Sequence, residues 1–105
     1  MKTNKQRAPK AYANENAIQT IKILEALEGA NFEPASLKTI CERVGTIIEI
    51  DKALTWDKAR RILLTLKLLG WANENEKNEW TLGAKILRFS NRYDDLCLHT
   101  LGKEK

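Results

Sequence analysis

The sequence predicts a mainly α-helical domain with a small β-hairpin, on the strength of three patterns. Three segments repeat apolar residues at spacings of three and four, and each of them ends at a glycine, Gly29, Gly45 or Gly70. Two short aromatic-flanked segments then enclose a polar tip, and a last helical pattern follows Gly83. With 105 residues, of which 43% are hydrophobic, the chain has the size of one domain with a single modest core.

The first helix follows a basic stretch. Residues 1–14 contain no acidic side chain and four basic ones, Lys2, Lys5, Arg7 and Lys10. With little to bury, they are expected to form a disordered basic arm. Asn16 then precedes an apolar stripe, and Gln19 occupies the third helical position of a capping box, which predicts a helix over residues 17–28.

The second and third helices are each introduced by a hydroxyl residue. Ser36 is the expected N-cap of a helix that ends at Gly45, and Thr55 is the expected N-cap of a helix that ends at Gly70. The core side chains expected from the third helix are Ala59, Ile62, Leu63, Leu66 and Leu69. Between the two helices, residues 46–54 fit either a short strand or a hydrophobic loop, and their pattern does not decide between the two.

Segments 71–74 and 79–82 have the pattern of a hairpin, and we expect Trp71 and Trp80 to pack together there. The final helix should run from residue 84 to about residue 101. Its apolar stripe is Ile86, Phe89, Tyr93, Leu96 and Thr100. This stripe serves either as a dimer seam or as the face that folds back on the first helix.

The order of these elements is that of a winged helix-turn-helix: a three-helix core, a two-stranded wing and a C-terminal helix. The predicted organisation is an arm over residues 1–14, a winged helix DNA-binding domain over 15–83 and a C-terminal helix, a possible dimerisation element, over 84–105. A major groove about 12 Å wide accepts one helix, so the third helix is the one expected to enter DNA.

The positive charge is concentrated in two places. The arm alone accounts for the net charge of +4, since the remaining residues hold 14 basic and 14 acidic side chains. Residues 52–67 form a second basic cluster of Lys52, Lys58, Arg60, Arg61 and Lys67 against Asp57. Both clusters suggest double-stranded DNA as the partner.

Three stretches also carry a family resemblance. The sequence WTLGAKILRF at residues 80–89, with an aromatic residue and Leu-Gly before an apolar-basic helix, resembles the wing exit of IclR-type (isocitrate lyase regulator) transcription factors. The sequence ARRILLTLKLLGW at residues 59–71 is similar to the recognition helix of that family, and residues 16–27 look like its first helix. The resemblance covers roughly residues 16–90 and implies a DNA-binding regulator.

The chain departs from that family in two respects. Residues 46–54 replace a tight turn of a few residues between the second and third helices. Members of the family also carry a large effector-binding domain after the last helix, whereas this sequence ends at Lys105. We therefore expect no small-molecule effector and no ligand-sensing domain.

The candidate DNA-binding residues fall into two groups. Those of the third helix are Thr55, Asp57, Lys58, Arg60, Arg61 and Thr65. The arginine fork matches a guanine edge or a phosphate, while Asp57 either accepts from cytosine or only helps to cap the helix. Those outside it are Ser36, Lys38, Lys77, Asn78, Arg7 and Lys10. Ser36 either grips a phosphate or acts as a cap alone, and the wing candidates stand among acidic neighbours.

Several other classes of function are disfavoured. The longest apolar run is too short to span a bilayer, and no secretory signal is recognisable, so we expect a cytoplasmic, nucleoid-associated protein with reduced Cys41 and Cys97. His99 is the single histidine, which leaves no set of zinc ligands. With no nucleophile, base and orienting group, we expect neither an enzyme nor a cofactor.

The function predicted from the sequence is therefore that of a small DNA-binding transcriptional regulator. A homodimer is expected, because one recognition helix covers too few base pairs for useful specificity. The alternative is a winged helix that acts as a protein-protein interaction adaptor in a larger complex. An exposed apolar patch on the third or fourth helix would indicate that alternative.

Overall fold

The computed structural model describes residues 13–29 and 31–103, with side chains up to residue 97. Its helices are α1 (Glu15–Glu28), α2 (Leu37–Val44), α3 (Trp56–Leu69) and α4 (Ala84–Lys103). Its strands are β1 (Thr46–Ile47), β2 (Lys52–Ala53), β3 (Ala72–Glu74) and β4 (Trp80–Leu82). The predicted mainly helical fold with a winged helix order is confirmed. The predicted arm lies outside the described residues except for Ala13 and Asn14.

The start of α1 differs from the prediction. Asn14, and not Asn16, is the N-cap, and its Oδ1 accepts a hydrogen bond from the backbone N–H of Ala17 at 3.0 Å. Gln19 forms no capping box, because it lies one turn before the buried Ile23 on the same helix face. Its side chain is only 4% exposed, and its Oε1 has no hydrogen-bond partner.

Residues 46–54 form a second, very short hairpin. Strands β1 and β2 pair antiparallel, with Thr46 opposite Ala53 and Ile47 opposite Lys52. Successive side chains of a strand point to opposite faces, so Ile47 is buried whereas Ile48, at the start of the turn, is 82% exposed. Asp51 closes the turn with a left-handed φ of 53°. This hairpin takes the place of a short turn between α2 and α3.

The three-helix core is formed by apolar side chains of α1, α2 and α3 together with the wing. Its buried members are Ile23, Ala26, Leu27, Ala35, Ile40, Leu54, Ala59, Ile62, Leu63, Leu66, Ala72 and Trp80. Cys41 is half-buried against this core, and burial raises the pKa of its thiol. The prediction that Leu69 is a core residue is wrong. Leu69 is 54% exposed, because the groove between α1 and α3 remains open beside it.

The wing is joined to the core through Trp80. Strands β3 and β4 pair antiparallel with Ala72 opposite Leu82, and Trp80 adds two backbone hydrogen bonds to Ala35, at 2.8 and 3.0 Å. These bonds draw the Trp80 ring into the core, so it does not pack on Trp71 as predicted. Trp71 instead packs against Phe89 of α4, with the ring centroids 6.0 Å apart and the ring planes tilted by 58°.

Beyond the contact between Trp71 and Phe89, helix α4 extends away from the three-helix core. Phe89, Tyr93 and Leu96 of the stripe are exposed and only Ile86, at its start, is half-buried, so the described part of the stripe does not fold back on α1. A hydrogen bond with Cys97, one turn further along, is the main cause that raises the pKa of Tyr93. Across the described part of the chain, no helix has the length and apolar character needed to cross a membrane.

Candidate nucleic-acid interface

The N-terminal end of α3 is fixed by the predicted cap. The Thr55 Oγ1 accepts a hydrogen bond from the backbone N–H of Lys58 at 3.1 Å, so helical geometry begins at Trp56. Asp57 places an acidic side chain in the first turn, where the helix dipole favours negative charge. The Thr55 cap and the Asp57 carboxylate therefore both stabilise the first turn of α3.

The face of α3 that points away from the core is mixed in character. Ala59, Ile62, Leu63 and Leu66 point inward. The exposed side chains are Trp56, Asp57, Arg60, Arg61, Leu64, Thr65, Lys67, Leu68 and Leu69. Arg60 and Arg61 are thus solvent-facing, as predicted, but they share this face with apolar side chains at both ends of the helix.

Ion pairs neutralise much of the basic cluster at residues 52–67. Arg61 Nη2 lies 3.1 Å from Asp57 Oδ2 within α3. Lys52 Nζ lies 3.0 Å from Glu15 Oε2, and Lys67 Nζ lies 3.1 Å from Glu74 Oε1. Of the five cations in this cluster, Lys58 and Arg60 have no acidic partner among the described residues. The free charge is therefore at the N-terminal half of α3.

The beginning of α1 lies against the beginning of α3. Lys58 Nζ donates to Asn16 Oδ1 at 2.7 Å, which joins the first turns of the two helices, and the Lys52–Glu15 ion pair stands beside it. Asn16, although not the N-cap, thus orients a candidate DNA-binding cation. Arg7 and Lys10 lie outside the described residues, but the chain that holds them enters the domain at this point.

Hydroxyl groups in this region are already engaged. Thr65 Oγ1 donates to the backbone carbonyl of Arg61 at 2.8 Å. The Ser36 Oγ accepts from the Thr39 backbone N–H at 3.2 Å and donates to the Thr39 Oγ1 at 3.1 Å. Ser36 is half-buried and acts as the N-cap of α2, while Lys38 is exposed in the first turn of that helix.

A network centred on Asn75 holds the wing tip. Its Oδ1 accepts from the backbone N–H groups of Lys77 at 2.8 Å and of Glu79 at 2.9 Å. Asn78 takes a left-handed φ of 62°, which Asn tolerates better than most residues. Lys77 and Asn78 are exposed at the tip, and the Lys67–Glu74 ion pair ties the wing to α3.

Two features of this surface were missed in the sequence. The first is the set of ion pairs between different helices and strands, because the spacing of residues along the sequence does not predict contacts between distant segments. The second is Trp56, whose signal was available: it is an aromatic residue directly after an N-cap, on a helix whose core stripe begins three residues later. Its side chain is exposed.

The fold is similar to that of HmgR, a transcriptional regulator of Pseudomonas aeruginosa, whose crystal structure superposes with a TM-score of 0.62. The two sequences are 26% identical, and the match covers 75% of this chain and 29% of HmgR. No protein-family model and no curated protein matches the sequence. The similarity supports a DNA-binding regulator domain, and the chain spans less than a third of HmgR's length.

Proposed function

We propose that this domain is the DNA-binding unit of an IclR-type transcriptional regulator and that it inserts α3 into the major groove of double-stranded DNA. It acts by binding and not by catalysis. The observation that carries the proposal is the N-terminal half of α3, where Arg60 and Lys58 have no acidic partner within the described part of the chain, in a fold similar to that of a regulator. We assign no small-molecule site to these residues.

The residues of α3 have different roles in this proposal. Arg60 extends freely into solvent and is the side chain that contacts a guanine edge. Asp57 holds the Arg61 guanidinium and orients it towards a phosphate, while Lys58, held by Asn16, offers a second phosphate contact. Phosphate contacts fix the position of the helix, and Arg60 supplies the sequence preference.

The other candidates bind the DNA backbone. Lys38 at the start of α2 and Lys77 and Asn78 at the wing tip are exposed and contribute charge or hydrogen bonds. The Ser36 hydroxyl and the Thr65 hydroxyl already have partners, so their main contribution is to keep their helices in place. Thr55 caps α3, and Arg7 and Lys10 add phosphate contacts from the arm.

Replacing Arg60 should change sequence preference, whereas replacing Lys77 should not. We expect Arg60→Ala to cost about 1 to 3 kcal/mol of binding free energy and to relax preference at one base pair, because a bidentate guanine contact is lost. Arg61→Ala should weaken binding to all sequences alike, since its partner in this proposal is a phosphate. Selection of binding sites from a random duplex pool, with wild type and the three variants, measures this. Identical preferences in all four proteins contradict the proposed role of α3.

The second part of the proposal is a homodimer joined through the exposed stripe of α4. Leu96 and Tyr93 are exposed on one side of this helix, and Asn91 stands on the opposite side. Two copies related by a two-fold axis place two copies of α3 on successive half-sites. Burial of the stripe removes apolar side chains from water and gives the dimer its stability.

We expect Leu96→Glu to give a monomer by sedimentation, with specific binding lost before non-specific binding. Leu96 suits this test better than Phe89, whose ring also packs on Trp71. Asn91→Glu is the matched control, because it adds the same charge to the other side of α4 and should leave the dimer intact. A wild type that sediments as a monomer at about 10 to 50 μM and binds a single half-site removes the dimer from the proposal.

One observation favours a second candidate function, a protein-protein interaction adaptor. Leu68 is 83% exposed at the end of α3, with Leu64 one turn before it, and the stripe of α4 is also exposed. A winged helix that binds a protein partner presents such patches. Failure to bind any duplex at low salt, together with an intact fold, decides in favour of the adaptor.

A further inference from the structure

Trp56 occupies an unusual position at the tip of α3. It is the first residue of the helix, directly after the Thr55 cap, and its side chain is 57% exposed. The other two tryptophans are packed, since Trp80 belongs to the core and Trp71 lies against Phe89. Among the described residues, Trp56 pairs with no other aromatic ring and belongs to no buried cluster. A large apolar ring is thus left in water at the end of the helix proposed to enter DNA.

A cation without an acidic partner stands beside this ring. Arg60 follows Trp56 by four residues, so the two side chains are neighbours on the helix surface, and Arg60 forms no ion pair among the described residues. Lys58, two residues after Trp56, lies on a different side of α3, where Asn16 holds it. An apolar side chain beside a free cation favours a polyanion that also offers an apolar group over an apolar protein surface.

We propose that Trp56 is a specificity-determining residue that contacts the 5-methyl group of a thymine in the major groove. This inference rests on the proposed function of α3. The thymine methyl is the one apolar group that the base pairs present in that groove, and apolar side chains recognise it by contact. Burial of the indole against the methyl group removes apolar surface of both partners from water.

The spacing of Trp56 and Arg60 restricts where that thymine lies. The two residues are four positions apart, which is about 6 Å along the helix axis. Consecutive base pairs of DNA are about 3.4 Å apart. Trp56 therefore reaches a thymine within about one or two base pairs of the guanine that Arg60 contacts, and the half-site contains both bases at that distance.

The test removes the methyl group and nothing else. Each thymine of a selected duplex is replaced in turn by deoxyuridine, and affinity is measured by fluorescence anisotropy for wild type, Trp56→Ala and Leu68→Ala. For wild type we expect one position at which deoxyuridine weakens binding about three- to five-fold, the factor expected for one buried methyl group. At that position Trp56→Ala should bind both duplexes equally. Leu68→Ala, which removes an exposed apolar side chain at the other end of α3, should respond as wild type does.

A second measurement does not depend on a base change. The fluorescence of Trp56, obtained as the difference between wild type and Trp56→Phe, should become shielded from acrylamide when duplex is bound. Trp56 is exposed, so its variants should melt at the wild-type temperature in circular dichroism, which separates loss of contact from loss of fold.

The outcomes separate this inference from the proposed function. If wild type binds duplex but no deoxyuridine position matters, or if the effect persists in Trp56→Ala, then Trp56 does not contact a thymine while α3 still binds DNA. If the protein binds no duplex at low salt and a protein partner shields Trp56 from acrylamide, both the thymine contact and the proposed DNA-binding function are overturned. A Trp56→Ala variant that loses affinity equally for all sequences also contradicts the contact with thymine.

Discussion

The affinity for duplex DNA should fall about 10²- to 10³-fold when monovalent salt rises from about 50 mM to about 200 mM. Each neutralised phosphate releases counterions and contributes about −0.9 to the log-log slope, and we expect about four to six such contacts. The cations that the proposed function assigns to phosphates include the four of the arm, Lys58, which is held by Asn16, and Arg61, which is oriented by Asp57. Anisotropy titrations across this salt range measure the slope.

Removal of the arm is the control that locates these contacts. A chain that lacks residues 1–12 should show a shallower salt dependence and an unchanged site preference, because the arm supplies charge without base contacts. Its melting temperature should stay the same, since α1 keeps its Asn14 cap. Affinity that does not change with salt contradicts DNA binding altogether, whereas an unchanged slope after truncation contradicts only the role given to the arm.

The helix boundaries set by local chemistry were predictable from the sequence. Ser36 and Thr55 are caps because a hydroxyl meets the backbone N–H three residues ahead, a contact that needs only the local chain. The start of α1 was placed two residues late, because Asn14 and Asn16 both precede the apolar stripe and the pattern does not distinguish them. The hairpin of β1 and β2 was left open, because its turn contains no glycine and Asp51 takes the left-handed conformation instead.

The candidate site was less predictable than the fold. The sequence located the basic residues of α3, since their spacing follows from helical periodicity. It did not reveal which of them carry free charge, because the partners of Lys52 and Lys67 come from α1 and from the wing. Only tertiary structure brings Asn16 to Lys58, and it therefore decides which cations are available to DNA.

Gly83→Ala should destabilise the domain by about 3 kcal/mol and lower its melting temperature by roughly 10 to 25 °C. Gly83 lies where the wing returns to the end of α3, and its N–H donates to the Trp71 carbonyl at 2.9 Å. A Cβ at Gly83 would lie 2.8 Å from the backbone nitrogen of Ala72 and would also meet the backbone of Gly70. These neighbours are backbone atoms at the start of β3 and cannot rotate away as a side chain could. The backbone at Gly83 must therefore move apart from residues 70–72 to admit one methyl group.

A comparison with Gly45→Ala isolates this steric effect. Gly45 has φ 59° and ψ −149°, a conformation that is essentially restricted to glycine, so alanine there is strained by about 1 to 3 kcal/mol, but the nearest heavy atom, the Glu42 carbonyl oxygen, would be 3.8 Å away. Gly83 has no positive φ, so the destabilisation expected for Gly83→Ala comes only from the contact of the added methyl group with the backbone of residues 70–72. Thermal denaturation followed by circular dichroism should therefore give Gly83→Ala a lower melting temperature than Gly45→Ala. Equal melting temperatures would show that residues 70–72 and residue 83 can move apart at little cost in stability. The Leu-Gly pair at residues 82 and 83 would then have no packing role.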